Sequence, residues 1–534
     1  MVIESITPFL RHAALSLALL GLPQLAFSQE NTKSAPVFHL PAVDQPLTIS
    51  ASKAPFLATA DFSLALWMQN EETASRLPGD LLCQYDPALR RGFQLTLKSN
   101  TGTTTSQANW RHLQFSIDDN HSSAWSDCGR PGNAILAFAL ASHEGKLFAG
   151  TCEPGKNESG RVYSYAENGN WTDCGAPGQA NSVTALTAYH GKLYAATGKY
   201  RLAGSSLKES DNVHLGGRVF VYEGGHRWTD CGQLPNTEAV GGFVVFQGRL
   251  YASSLYKPAG FFRYEGGTKW TALQVPQGID PATGMPGPKR VEALTMFDGF
   301  LYASSYDGGH VYRYDGKNWT DCGQLGNNTQ TYSFAQYEGK LYAGTWPSGR
   351  VYRFDGLSKW TDTGRLGNEL EVMGMLVHNG RLLAGTLPLA EVYSFEGTSW
   401  KRLTRLDHTP DVTYRRAWTM AEHAGQVFCS TLPSGKVFAF SAGTQVGWGK
   451  SLDSAWHHIA AVKSGQKLEL FVDGKPVAQS RAFDSKSYSL NSQAPLQIGT
   501  GMNGPFNGRL SDIRLFQRAL ALEEITALAK SPRK

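Results

Sequence analysis

The stretch Gly339-Lys340-Leu341-Tyr342-Ala343-Gly344-Thr345 is followed by Gly349-Arg350-Val351-Tyr352-Arg353-Phe354-Asp355-Gly356 and then by Trp360-Thr361-Asp362. Apolar and polar residues alternate in each piece and glycines separate them, which is the pattern of short half-buried strands joined by tight turns. The first piece recurs with turn glycines at Gly145, Gly191, Gly248, Gly299, Gly339, Gly380 and Gly425, spaced 40 to 57 residues apart. The third strand repeats at Val162, Val219, Val311, Val351, Val392 and Val437, and more weakly at Phe261. A last strand opens on Trp125, Trp171, Trp228, Trp270, Trp319, Trp360 and Trp400.

One repeat of this length holds four strands and variable loops, which is a propeller blade. The reading is therefore an all-β chain with a seven-bladed β-propeller at 122–445. The first Trp precedes the first full unit, and the unit around Gly425 to Phe440 lacks an obvious Trp strand of its own. Either the strand at Trp125 completes the last blade and leaves no free sheet edge, or Trp448 supplies that strand. Turns such as Tyr314-Asp315-Gly316-Lys317-Asn318-Trp319 make the unit resemble the kelch family, although Gly-Thr, Ala-Thr or Ser-Ser replaces the paired glycines usual after its second strand. The same turn is similar to the sialidase Asp-box without its Ser.

Outside the repeats lie Phe62-Ser63-Leu64-Ala65-Leu66-Trp67-Met68 on one side and Trp456-His457-His458-Ile459-Ala460-Ala461-Val462 on the other. The latter is followed by Leu468 to Lys475, with Val472-Asp473-Gly474 at its turn. This succession resembles the laminin-G-like, concanavalin-like jelly-roll family, for which Trp-His-His-Ile-Ala and a Val-Asp-Gly hairpin are distinctive. Neither flank has enough strands for a two-sheet core, but the two together do. The expected organisation is a signal peptide at 1–28, one sandwich half at 36–121, the propeller as an insertion, and the second half at 446–530.

Arg11, the apolar run Ala13 to Leu22 and the exit Ala26-Phe27-Ser28 read as a secretory signal, so a secreted, extracellular or periplasmic location is expected. No later window has the length and freedom from charge of a membrane helix. Net charge is +5 with Lys and Arg interspersed among Asp and Glu, which argues against nucleic acid. Of seven Cys, the four equivalent ones, Cys128, Cys174, Cys231 and Cys322, would lie on different blades, too far apart for disulfide geometry. They read as buried small hydrophobes.

In a propeller, loops from last strand to first and from second strand to third share one mouth. The candidates there are Tyr256, Arg290, Glu292, Tyr306, Asp307, His310, Trp346, Arg350, Glu371, Glu391, Arg416 and Lys436, with Arg161 and Arg218 at equivalent places in the first two blades. The insertion Gly198 to Gly217 and the loop Gln277 to Arg290 are long enough to cover a site. Aromatic faces beside Arg and Glu suit a polysaccharide or glycoconjugate, and Arg161, Arg218, Arg350 and Lys436 would favour a carboxylated or sulfated one.

A polysaccharide-degrading enzyme, through paired carboxylates among Glu292, Asp307, Glu371 and Glu391, and an envelope interaction scaffold are the alternatives. Phosphate loops, His-Glu-x-x-His, Cys-x-x-Cys and Gly-x-Ser-x-Gly are absent from the sequence. No cofactor is expected. Relatives of the sandwich that bind calcium at its rim imply Asp473 and Asp512 as ligands.

Overall fold

The computed structural model describes residues 35–532 except 44, 72, 74, 106, 167, 168 and 280–282; the signal peptide expected at 1–28 lies outside the described residues. The chain builds a two-sheet sandwich interrupted by a propeller.

In the sandwich, each sheet takes strands from both flanks. The outer sheet runs Phe38–Val43, Gly508–Phe516, Phe62–Asn70, Trp456–Ser464, Lys467–Val472, Lys475–Gln479. Trp67 stands opposite His458 in its register, and Met68 opposite His457. The inner sheet runs Leu47–Ile49, Leu496–Ile498, Asp80–Asp86, Arg91–Asn100, Asn109–Ser122, Ala442–Ser451. One apolar core lies between the sheets and takes Phe62, Leu64, Phe93 and Phe115 from before the ring and Ile459, Leu470 and Ile513 from after it. The helix Leu522–Lys530 packs Ile525 on the outer sheet against Ala460 and Phe471.

The inner sheet is buried on both faces. Phe93, Leu95 and Leu97 point to the sandwich core, and the intervening Gln94, Thr96 and Lys98 are equally buried. Leu113, Phe115 and Ile117 alternate in the same way with His112, Gln114, Ser116 and Asp118. Period-two alternation would ordinarily send the polar set to water; here the ring covers it.

The ring is a succession of four-stranded antiparallel units, the first two joined into one eight-stranded sheet where Ser182 pairs with Cys152, and their first strands are Leu136–His143, Ser182–Tyr189, Val240–Phe246, Leu294–Phe297, Gln330–Tyr337, Glu371–His378 and Arg416–His423. Hairpins after these strands use two residues with positive φ, as at Glu338 (49°) and Gly339 (70°). That is the turn whose twist matches paired strands, and it explains the recurrent glycine. The sheet begun by Arg416–His423 takes its fourth strand from Ser126–Asp127, with Phe438 opposite Asp127. Trp448 belongs to the inner sandwich sheet, in Ala442–Ser451.

Successive ring sheets are latched at their outer strands. The indole Nε1 of Trp171 donates to the Cys128 carbonyl at 2.9 Å, Trp228 to Cys174 at 2.8 Å, Trp270 to Cys231 at 2.9 Å and Trp360 to Cys322 at 2.8 Å. The cysteines thus stand where the backbone meets the neighbouring indole, with small side chains buried beneath. All seven are buried and unpaired. The Asp before each Cys is also fully engaged, as is its counterpart Asp362: Oδ1 accepts from Gly364 N at 2.9 Å, and Oδ2 accepts from Arg350 Nη1 at 2.6 Å.

Candidate functional site

First strands run from one mouth of the ring toward the sandwich, so their opening residues surround one end of the axis and their closing residues the other. Phe138, Tyr332 and Trp418 are each the third residue of their strand, and Glu371 and Arg416 each the first. They line a cavity of about 390 Å³ at the mouth. Tyr200, Arg201 and Glu209 come from the second-sheet insertion, Tyr256 and Tyr306 from loops between second and third strands, and Arg290 and Glu292 from the segment leading into Leu294–Phe297.

The aromatic wall is continuous. Phe138 meets Tyr200 at 5.0 Å and Trp418 at 4.9 Å between ring centroids, and Tyr306 meets Tyr332 at 4.7 Å. Arg201 lies over the Tyr256 ring at 4.5 Å. The insertion is tied down from within: Ser205 Oγ lies 2.7 Å from the Tyr200 hydroxyl and accepts from Arg416 Nη1 at 2.8 Å.

Each cation here has a carboxylate of its own. Arg290 Nη2 lies 2.8 Å from Asp307 Oδ1, Arg416 Nε lies 3.4 Å from Glu371 Oε1, and Arg201 pairs with Glu238. Burial pushes the Glu371 carboxyl up, and Arg416 and Tyr332 oppose it. Glu292 has no such cation in contact. Burial pushes its carboxyl up to about 8, with a bond to Tyr306 and the more distant Arg290 only partly offsetting this. At neutral pH it is therefore largely protonated. Its Oε2 and the Trp418 Nε1 are buried without a hydrogen-bond partner among the described residues.

Tyr256, Arg290, Glu292, Tyr306, Glu371 and Arg416 are thus brought together, with Asp307 supporting Arg290. The other candidates lie outside the lining. Arg161 pairs with Asp173 at 2.6 Å, Arg350 with Asp362 at 2.6 Å, Lys436 with Asp127 at 2.6 Å, His310 with Asp321 at 2.9 Å, and Arg218 with Asp230. In each pair the third strand faces the fourth, so the cations that suggested an acidic ligand are neutralised within their own sheets. Glu391 is held by Arg402 at 2.5 Å and by the Tyr393 hydroxyl at 2.6 Å. Trp346 is half-buried at a strand end, where its carbonyl accepts from Thr329 N at 3.1 Å.

Sequence reading missed Phe138, Tyr200, Arg201, Glu209, Tyr332 and Trp418. Trp418 was within reach of it, because it lies two residues after the candidate Arg416, and so on the same face of its strand. In the sandwich, the Asp473 carboxylate accepts from His457 Nδ1 at 2.9 Å and from the His458 amide at 2.9 Å. Asp512 is engaged by His39 at 2.7 Å and Arg514 at 2.8 Å. Among the described residues no cluster of three or more His, Cys, Asp or Glu could hold a metal ion, and no helix is long and apolar enough to cross a membrane.

Known proteins resemble the chain in parts. Among solved structures it is similar to a catalytically inactive variant of virginiamycin B lyase from Staphylococcus aureus with quinupristin (TM-score 0.46, 10% identity, 60% of this chain and 99% of that one). It is also similar to YCF48 bound to D1 peptide (0.41, 12%, 60% and 97%) and to the WD40 β-propeller domain of Doa1 (0.39, 11%, 60% and 97%). No curated protein matches the chain. Residues 399–526 match the family model of the concanavalin A-like lectin/glucanases superfamily.

Proposed function

We propose that this is an exported carbohydrate-binding protein, a kelch-like ring of seven blades set into a lectin-type sandwich, with a neutral glycan held in the cup at the ring's mouth. The observation that carries the reading is the pairing, in one cavity of about 390 Å³, of a continuous aromatic wall with two unpartnered buried polar atoms, Glu292 Oε2 and Trp418 Nε1. Aromatic faces stack on the C–H faces of sugar rings, and buried polar groups gain when a ligand hydroxyl satisfies them. The lectin/glucanase-type match of the sandwich supports the same class of ligand. A neutral sugar is favoured over an acidic one because Arg201, Arg290 and Arg416 are each already paired.

A glycan array probed with the wild type and with Trp418→Ala, both checked for folding by circular dichroism, tests this. Signals on neutral glycans that vanish in the variant are expected. A folded wild type that binds nothing on the array refutes the reading.

One observation favours a second reading, hydrolysis at the same cup. Glu292, with no cation in contact, and Glu371, paired with Arg416, are two carboxyls in one cup, the minimum that acid and base roles require. Release of reducing ends from a neutral polysaccharide panel, abolished by Glu292→Gln, would establish it.

A further inference from the structure

The ring's axis is stopped from the sandwich side. Between two strands of the inner sandwich sheet, Arg91–Asn100 and Asn109–Ser122, residues 101–105, 107 and 108 lie among the first strands of the ring. The Gly102 carbonyl accepts from Phe334 N at 2.7 Å, the Thr103 carbonyl from Thr419 Oγ1 at 2.8 Å, and the Ala108 carbonyl from Ser142 N at 2.8 Å. Thr101 Oγ1 lies 2.7 Å from Thr295 Oγ1, and Gln107 Oε1 accepts from Thr187 Oγ1 at 2.6 Å. Five first strands therefore hold one plug.

Its composition suits the task. Thr101, Gly102, Thr103, Thr104 and Thr105 are small and buried. A Cβ on Gly102 would come within 2.9 Å of the Phe334 Cβ, at a φ of +75°. The strand Gln330–Tyr337 bulges between Thr331 and Phe334, and a bulge leaves a backbone group outside its ladder. Phe334 resumes the register after that bulge, opposite Ala343, and its amide is the one the plug takes up. The same strand lines the cup with Gln330 and Tyr332, so the floor lies one step beyond the ligand-facing residues.

Resting on the glycan-binding reading above, we infer that the cup is blind and receives the end of a glycan chain, not an internal stretch. A chain bound along its length must enter a site and leave it again. An open axis would permit that, but here the axis ends at Gly102 and Phe334, and the 199–217 insertion walls the second-sheet side through Tyr200 and Arg201. The cavity is also near the small end of ligand pockets, about 300–1,000 Å³, which suits a terminal unit. Among the described residues of the lining, Trp418 N–H and Glu292 Oε2 are buried polar groups without a partner that could read that unit.

Isothermal titration with methyl α- and β-glycosides of glucose, galactose and mannose, the matching linear tri- and tetrasaccharides, and cyclic glucose oligosaccharides tests the inference. The expected result is a monosaccharide glycoside that binds within about threefold of its tetrasaccharide, no binding of cyclic glucans, and an equal loss of about tenfold for mono- and tetrasaccharide in Trp418→Phe. Affinity that climbs tenfold or more between mono- and tetrasaccharide, or cyclic glucans bound as tightly as linear ones, overturns the blind cup while leaving glycan binding standing. Binding of no glycan in this set or on the array overturns both.

Discussion

The ammonium of Lys98, on the inner sandwich sheet, lies 2.6 Å from the carboxylate of Glu422, on a first strand of the ring, and both are buried. Glu422 Oε1 also meets His378 Nδ1 at 2.9 Å, while His378 Nε2 accepts from Ala442 N at 3.1 Å. That second bond places the imidazole proton on Nδ1, facing Glu422, and keeps the ring neutral; burial, which lowers its proton affinity, acts the same way. Against its own burial, Lys98 and His378 hold the Glu422 carboxyl at about 2.

Removing one partner of a buried pair leaves an uncompensated charge, so Glu422→Gln should cost about 3–5 kcal/mol, read by chemical denaturation. The carboxyl titrates near 4.5 when unfolded and about 2 when folded. Its contribution is therefore complete above about pH 4.5 and is lost as pH falls toward 2. The wild type should show a steeper acid limb than Glu422→Gln between those values.

Glu292 carries the opposite sign. Its folded carboxyl titrates near 8 against 4.5 unfolded, so the wild type should lose stability as pH rises from about 4.5 through 8. Glu292→Gln removes that loss. Melting curves at pH 5 and pH 8 should show the variant gaining on the wild type at the higher pH; an equal difference at both would refute the assignment.

The repeated cations serve their own sheets. Arg350→Ala and Arg161→Ala should change stability by only about 0–1 kcal/mol, as exposed pairs do, and should leave glycan affinity within about twofold. A loss of affinity of about fivefold in either would return these positions to the site.

The indole latches can be tested singly. Trp360→Phe keeps an aromatic ring but loses the bond to the Cys322 carbonyl, and should cost about 1–2 kcal/mol in denaturant unfolding.

All seven thiols are buried and unpaired. Native protein should resist a thiol-alkylating reagent, and denatured protein without reductant should take up seven equivalents, measured by intact mass. Fewer than seven would reveal a disulfide.

Much of the fold was legible because repetition and alternation are local. Turn glycines, the Val-Tyr and Trp strands, and the Trp-His-His-Ile-Ala strand announce themselves within a few residues. Half of the cup was legible for the same reason: once loops are equivalent, Glu292, Tyr306, Glu371 and Arg416 fall at one mouth. The strand-borne Trp418 and Tyr332 were overlooked because, in sequence, they resemble core aromatics.

The sequence by itself determined the blade unit, the split sandwich and which loops gather, since these follow from side-chain period and turn chemistry along the chain. Only the tertiary structure decided that Arg161, Arg218, Arg350 and Lys436 are neutralised by a facing Asp, that the polar face of Gln94, Thr96 and Lys98 is buried under the ring, and that residues 101–105, 107 and 108 stop its axis. Each of these depends on groups far apart in the chain. Charge pairing, burial and closure are properties of distance in space, and spacing along a chain does not encode them.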